Sequence, residues 1–126
     1  MSFDASLYKY LSKNITTADS ISAGKAPQGE KDKFLVFTKI AGTRDYAHDG
    51  PLKTIQIQYQ FDSYAKKNSD ALLIKQELQR ILEDFRGDME GTHVQGAFIT
   101  GEFDEFGDEY YRQEVEYKIQ YYEGVI

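Results

Sequence analysis

From Ile55 to Asp62 apolar and polar residues alternate without a break. Ile55, Ile57, Tyr59 and Phe61 fall on one side, Gln56, Gln58, Gln60 and Asp62 on the other. That period of two predicts a strand with one packed face and one face in water or against a partner. Val115, Tyr117, Ile119 and Tyr121 alternate with Glu114, Glu116, Lys118 and Gln120 in the same way, so a second half-buried strand is expected near the C-terminus. Phe34 to Ile40 is apolar almost throughout, the mark of a strand covered on both faces and a candidate for the sheet centre. Val94 to Phe103 reads as a further strand, in which Gly96 and Gly101 signal a bulge or a close backbone approach.

The period changes after Tyr64. Ala71, Ile74, Leu78, Ile81, Leu82 and Phe85 form one stripe at helical spacing. Asn68 or Ser69 is the expected cap, with Arg86 in the last turn and Gly87 as terminator. A short amphipathic helix opens at Asp4, with Leu7, Tyr8 and Leu11 on one side, and ends at Asn14. A short strand or turn follows near Ile21, then a loop from Ala23 to Lys33. Gly42 to Pro51 is too long for a tight hairpin and predicts a protruding loop. Glu102 to Glu109 reads as an acidic hairpin loop, and Gly124 to Ile126 as a loose tail. The expected fold class is α+β in two layers, a mostly antiparallel four-stranded sheet with one main helix on a face and a short N-terminal helix.

Composition narrows the function. The 126 residues fit a single domain spanning 1–126, and 10 Tyr with 8 Phe suffice for a core. A net charge of −6 with no basic tract argues against nucleic acid as the main partner. With no cysteine there is neither disulfide nor thiolate chemistry. No apolar run is long enough to span a bilayer, and no basic-then-apolar leader opens the chain, so a soluble protein made and used without export is expected.

Catalytic patterns are weak. Arg44, Asp45, His48 and Asp49 fall in one loop and could serve acid–base or metal chemistry, but Asp49-Gly50-Pro51 is ordinary turn chemistry and no second His is near. His93 precedes a strand and reads as exposed. Asp104, Glu105, Asp108 and Glu109 lack the spacing of a calcium loop, and Gly24 to Gly29 lacks that of a phosphate loop. No catalytic, cofactor or metal residue is assigned, and a non-enzymatic role is expected.

Several segments, in order, resemble the tail-completion proteins of long-tailed bacteriophages, relatives of tail terminators and tail-to-head joining proteins. They are Ala26-Pro27-Gln28-Gly29, Phe34-Leu35-Val36-Phe37, Gly42-Thr43-Arg44-Asp45-Tyr46 with His48-Asp49-Gly50, and Phe61-Asp62-Ser63-Tyr64-Ala65. Phe85-Arg86-Gly87, Val94-Gln95-Gly96-Ala97 and a final aromatic strand extend it over nearly the whole chain. The resemblance implies an assembly protein that forms a homo-hexameric ring at the head-proximal end of the tail tube, stops tube polymerisation and offers a surface for head joining. Its implied partners are its own copies, the tail tube protein and the head–tail connector. It implies no membrane and no specific nucleic acid, with genome DNA passing through the ring, and no cofactor. The implied location is the host cytoplasm during assembly and then the virion. Candidate interface residues are Arg44, Asp45, Tyr46, His48 and Asp49 in the loop, and Gln56, Gln58 and Gln60 on the strand face. A head-side adaptor that joins without controlling tail length is the alternative; a small enzyme using the Arg44–Asp49 loop and a monomeric binding module are the other readings.

Overall fold

The computed structural model describes residues 3–24, 32–45, 53–107 and 109–123. In chain order the elements are α1 (Phe3–Asn14), β1 (Ser20–Ala23), β2 (Lys33–Asp45), β3 (Lys53–Ala65), α2 (Asn68–Leu82), β4 (Gly87–Met89), β5 (Thr92–Phe106) and β6 (Tyr111–Glu123). The strands form one sheet in the order β1-β2-β3-β6-β5-β4. β1 runs parallel to β2, and every other neighbouring pair is antiparallel.

This corrects the expected sheet, a mostly antiparallel, four-stranded one carrying the main helix and the short N-terminal helix. Six strands form a mixed, curled half-barrel with two helices. The two strands not counted are short. β1 is Ser-Ile-Ser-Ala and β4 is Gly-Asp-Met, too brief for any alternation to register. β2 is also not the sheet centre, which belongs to β3 and β6. Its early residues are nonetheless covered on both faces, as the apolar run predicts. Leu35 and Phe37 enter the core, while Phe34 stacks on Tyr64 at 4.8 Å and meets the edge of Tyr110 at 5.3 Å.

Two expected loops begin as strand. Gly42 to Asp45 continue β2 opposite Ile57 to Thr54, and the rest of that loop, 46–51, lies outside the described residues. Glu102 to Phe106 continue β5 opposite Val115 to Tyr111. Acidic residues persist in this strand because cations meet them: Lys75 reaches Glu102 at 2.9 Å and Arg112 reaches Glu105 at 2.7 Å. The turn itself is short, closed by the Gly107 N–H donating to the Tyr110 carbonyl at 2.9 Å. The expected tail, 124–126, is outside the described residues.

Both helices pack on one face of the sheet. α2 buries Ala71, Ile74, Leu78 and Leu82, as its stripe predicts, but stops at Leu82. Asp84, at φ 59°, takes the left-handed position expected of Gly87, which instead opens β4. Phe85 therefore lies beyond the helix, set edge-on against Tyr10 at 5.1 Å. α1 buries Phe3, Leu7 and Leu11, and Tyr8 turns outward, 46% exposed. These residues close over Ile55, Ile57, Tyr59 and Phe61 of β3 and Val115, Tyr117 and Ile119 of β6 in one core. Each such buried side chain contributes about 1.5–3 kcal/mol relative to exposure.

Polar clamps fix the helices in place. The Tyr59 hydroxyl donates to the Asp4 carboxylate at the start of α1. Glu77 on α2 accepts from the backbone N–H groups of Thr16 and Thr17 at 2.7 and 3.0 Å and from both their hydroxyls at 2.9 Å. Burial pushes the Glu77 carboxyl up, but these donors outweigh it and hold the group below its ordinary range.

Candidate interaction surface

Among the described residues no helix covers the other face of the sheet, and its two central strands are mostly polar there. Register sets Gln56, Gln58, Gln60, Asp62 and Tyr64 of β3 opposite Gln120, Lys118, Glu116, Glu114 and Arg112 of β6. Strand alternation places all of these side chains on the same face. Gln58 Nε2 donates to Glu116 Oε1 at 2.9 Å, and Gln60 Nε2 to Asp62 Oδ2 at 2.9 Å. Gln58 and Gln60, two of the three glutamines on this face, are thus tied to carboxylates.

Arg112 anchors one end of this face. Its Nη1 donates to Asp62 at 3.2 Å and Glu114 at 3.0 Å, and its Nη2 to Glu105 at 2.7 Å. Asp62 is only 5% exposed. Burial raises its carboxyl pKa, against the pull of Gln60 and Arg112. Burial also raises Glu114, reinforced by the Asp62 charge beside it. One guanidinium therefore balances three carboxylates, with three of its five N–H donors directed at them. The cluster is a clamp across β3, β6 and β5. Beside it a cleft of about 630 Å³ is lined by Tyr64, Glu105, Gly107, Glu109, Tyr110 and Arg112. Sequence reading missed the cluster. Arg112 and Glu114 share a face by their spacing of two, but only the β3–β6 pairing brings Asp62 to them.

β5 adds exposed aromatics to the open face. Phe98 is 46% and Phe103 57% exposed. Each ring lies over a glycine two residues earlier: a Cβ on Gly96 would come 2.9 Å from Phe98 Cζ, and one on Gly101 would come 3.5 Å from Phe103 Cε2. The expected bulge and close approach both occur, since the register slips between Val94 and Gly96 and between Ile99 and Gly101. His93 is exposed and stacks on Tyr122 at 5.3 Å.

The structure brings only part of the expected interface together. Gln56, Gln58 and Gln60 line the open face, and Gln56 and Gln58 border a hollow with Ala41, Gly42 and Lys118. Arg44 and Asp45 sit in β2 opposite Ile55 and Thr54, in the register of the strand that carries the glutamines. Tyr46, His48 and Asp49 lie outside the described residues, as does Asp108 of the acidic group. Among the described residues no group of three or more His, Cys, Asp or Glu is arranged to hold a metal, and no helix is long and apolar enough to cross a membrane.

No protein-family model matches the sequence, and no curated protein matches it. Solved structures do share the fold. A chain from a structure titled "Virion of native gene transfer agent (GTA) particle" superposes with a TM-score of 0.73 over 97% of this chain and 96% of that one, at 8% sequence identity. Nearly end to end, the two chains share one architecture with very little shared sequence.

Proposed function

We propose that this chain is a structural protein of a phage or phage-like particle, working by assembly rather than catalysis. The observation that carries the reading is the end-to-end likeness of fold to a virion chain, joined by the resemblance of Gly42-Thr43-Arg44-Asp45-Tyr46 and its companion segments to tail-completion proteins. In finer terms, the chain caps the head-proximal end of the tail tube as a homo-hexameric ring, ends tube growth and presents a surface to the head connector. It acts in the host cytoplasm during assembly and stays in the particle. Its partners are its own copies, the tube protein and the connector. The open face suits such contacts, with glutamines held by carboxylates and Phe98 and Phe103 exposed beside them.

Negative-stain microscopy of a lysate lacking this gene tests the reading. Overlong, headless tails are the expected result. Tails of normal length beside finished heads would move the chain to a head-side joining role. Normal, infectious particles would sink both assembly roles.

A further inference from the structure

Among the described residues, strand pairing leaves two long stretches of sheet edge without a partner strand. β1 covers β2 only from Phe34 to Phe37, where the Gly24 N–H donates to the Phe37 carbonyl. From Thr38 to Asp45 no strand among the described residues lies on the outer side of β2. At the other side of the sheet, β4 covers β5 only from Thr92 to Val94, and the Asp84 N–H takes the Ala97 carbonyl. From Phe98 to Phe106 the outer side of β5 likewise has no strand among the described residues. A bare edge offers a row of backbone donors and acceptors to any strand that fits.

The two edges fit each other. β2, β3, β6 and β5 alternate in direction, so β2 and β5 run oppositely on the two sides of the sheet. A second copy in the same orientation brings its β2 against the first copy's β5 as an antiparallel pair. Their heights also overlap. Thr38 sits level with Gln60, Glu116 and Gly101, and Ala41 with Gln58, Lys118 and Phe98. Staggering the copies along the strands, as closed sheets require, lengthens the overlap. The charges agree as well. The β2 stretch carries Lys39, and the β5 stretch carries Asp104 between Glu102 and Glu105, which Lys75 and Arg112 already meet. Lys39 and Asp104 are both exposed. Bulges at Ile40 and Thr100 interrupt each edge, which disfavours indiscriminate stacking and selects a matched partner.

We propose that copies of this chain associate head to tail by strand addition, the β2 edge from Thr38 to Asp45 of one copy pairing antiparallel with the β5 edge from Phe98 to Phe106 of the next. The proposal rests on the assembly reading and specifies its self-contact. Such a contact is heterologous: each copy uses one edge and presents the other, so the series closes into a ring or continues as a filament.

The chain has no cysteine, so engineered thiols report alone. Three double variants pair Lys39→Cys with Thr100→Cys, Phe103→Cys or Asp104→Cys, spanning neighbouring registers within disulfide reach. Each is oxidised mildly, both as the concentrated full chain and in purified particles, and run without reductant. A ladder of dimers, trimers and higher species is expected from at least one pair, with only heterodimers when two single variants are mixed. Dimers from a single variant alone would mean that like edges meet, and would overturn the proposal. Particles that contain the chain but give no ladder with any pair would also overturn it, while leaving the assembly reading standing. Particles that lack the chain would sink the assembly reading, and the concentrated chain would then decide the edge contact by itself.

Discussion

Tyr117 and Tyr59 lie side by side on the core face of the sheet, directly opposite each other in the β3–β6 register. Both are essentially inaccessible, at 0% and 1% exposure. Their hydroxyls differ. That of Tyr59 donates to Asp4, and that of Tyr117 is buried with no partner among the described residues. The same substitution should therefore act with opposite sign. Tyr117→Phe keeps the ring against Phe61, at 6.0 Å, and opens no cavity. It removes a stranded hydroxyl whose burial costs about 1–3 kcal/mol. We expect a gain of about 1–2 kcal/mol. For a chain of this size, about 1 kcal/mol corresponds to roughly 4 °C in Tm. Tyr59→Phe breaks a hydrogen bond to a carboxylate and should cost about 1.5–3 kcal/mol. Urea unfolding of the wild type and both variants, with slopes compared, measures this directly. If Tyr117→Phe leaves the midpoint unchanged or lowers it, the hydroxyl has a partner, such as an enclosed water, and the reasoning fails.

Three further outcomes follow from the clamps and the core. Arg112→Gln should cost about 3 kcal/mol at neutral pH, because it leaves Asp62 and Glu114 facing each other without their cation. Both carboxyls already have folded-state pKa values raised by burial, so stability falls as pH rises through those values. The deficit should shrink as pH is lowered toward about 4, and a pH-independent deficit would count against the clamp. Glu77→Gln should cost about 1–2 kcal/mol at neutral pH. Its folded-state pKa is depressed, so its contribution is present above the unfolded value and lost as pH falls; the variant's acid unfolding curve should be flatter than that of the wild type. Leu78→Ala empties a site with no exposure at the centre of α2 and should cost about 2–5 kcal/mol, read as a drop in the urea midpoint at constant slope.

What the sequence shows clearly is what repeats. β3 and β6 alternate over many residues and α2 carries a stripe at helical spacing, so their inward faces are legible position by position. β1 and β4 are too short to repeat anything, and their pairing depends on partners elsewhere in the chain. The glycines of β5 foretell the bulges but not the two phenylalanine rings laid across them. The acidic run after Gly101 looks like a loop because its cations, Lys75 and Arg112, come from α2 and β6. Part of the polar sheet face is visible as the glutamine alternation. Its charged end is not, because Asp62, Glu105, Glu114 and Arg112 meet only once three strands are aligned.

The order β3-β6-β5 has a consequence for how the chain acquires its shape. β6 stands between two strands that precede it, with Ala65 beside Tyr111 and Lys53 beside Glu123. During synthesis, at about 5–20 residues per second, β3 and β5 emerge before the strand that separates them exists. Ile55, Ile57, Tyr59 and Phe61 then wait without their neighbours Val115, Tyr117 and Ile119. The helices and the β4–β5 hairpin can form locally, but the sheet cannot knit until Tyr111–Glu123 leaves the ribosome. Folding is thus a late, non-local event on the scale of milliseconds to seconds, and the chain's most exposed moment comes just before its central strand arrives.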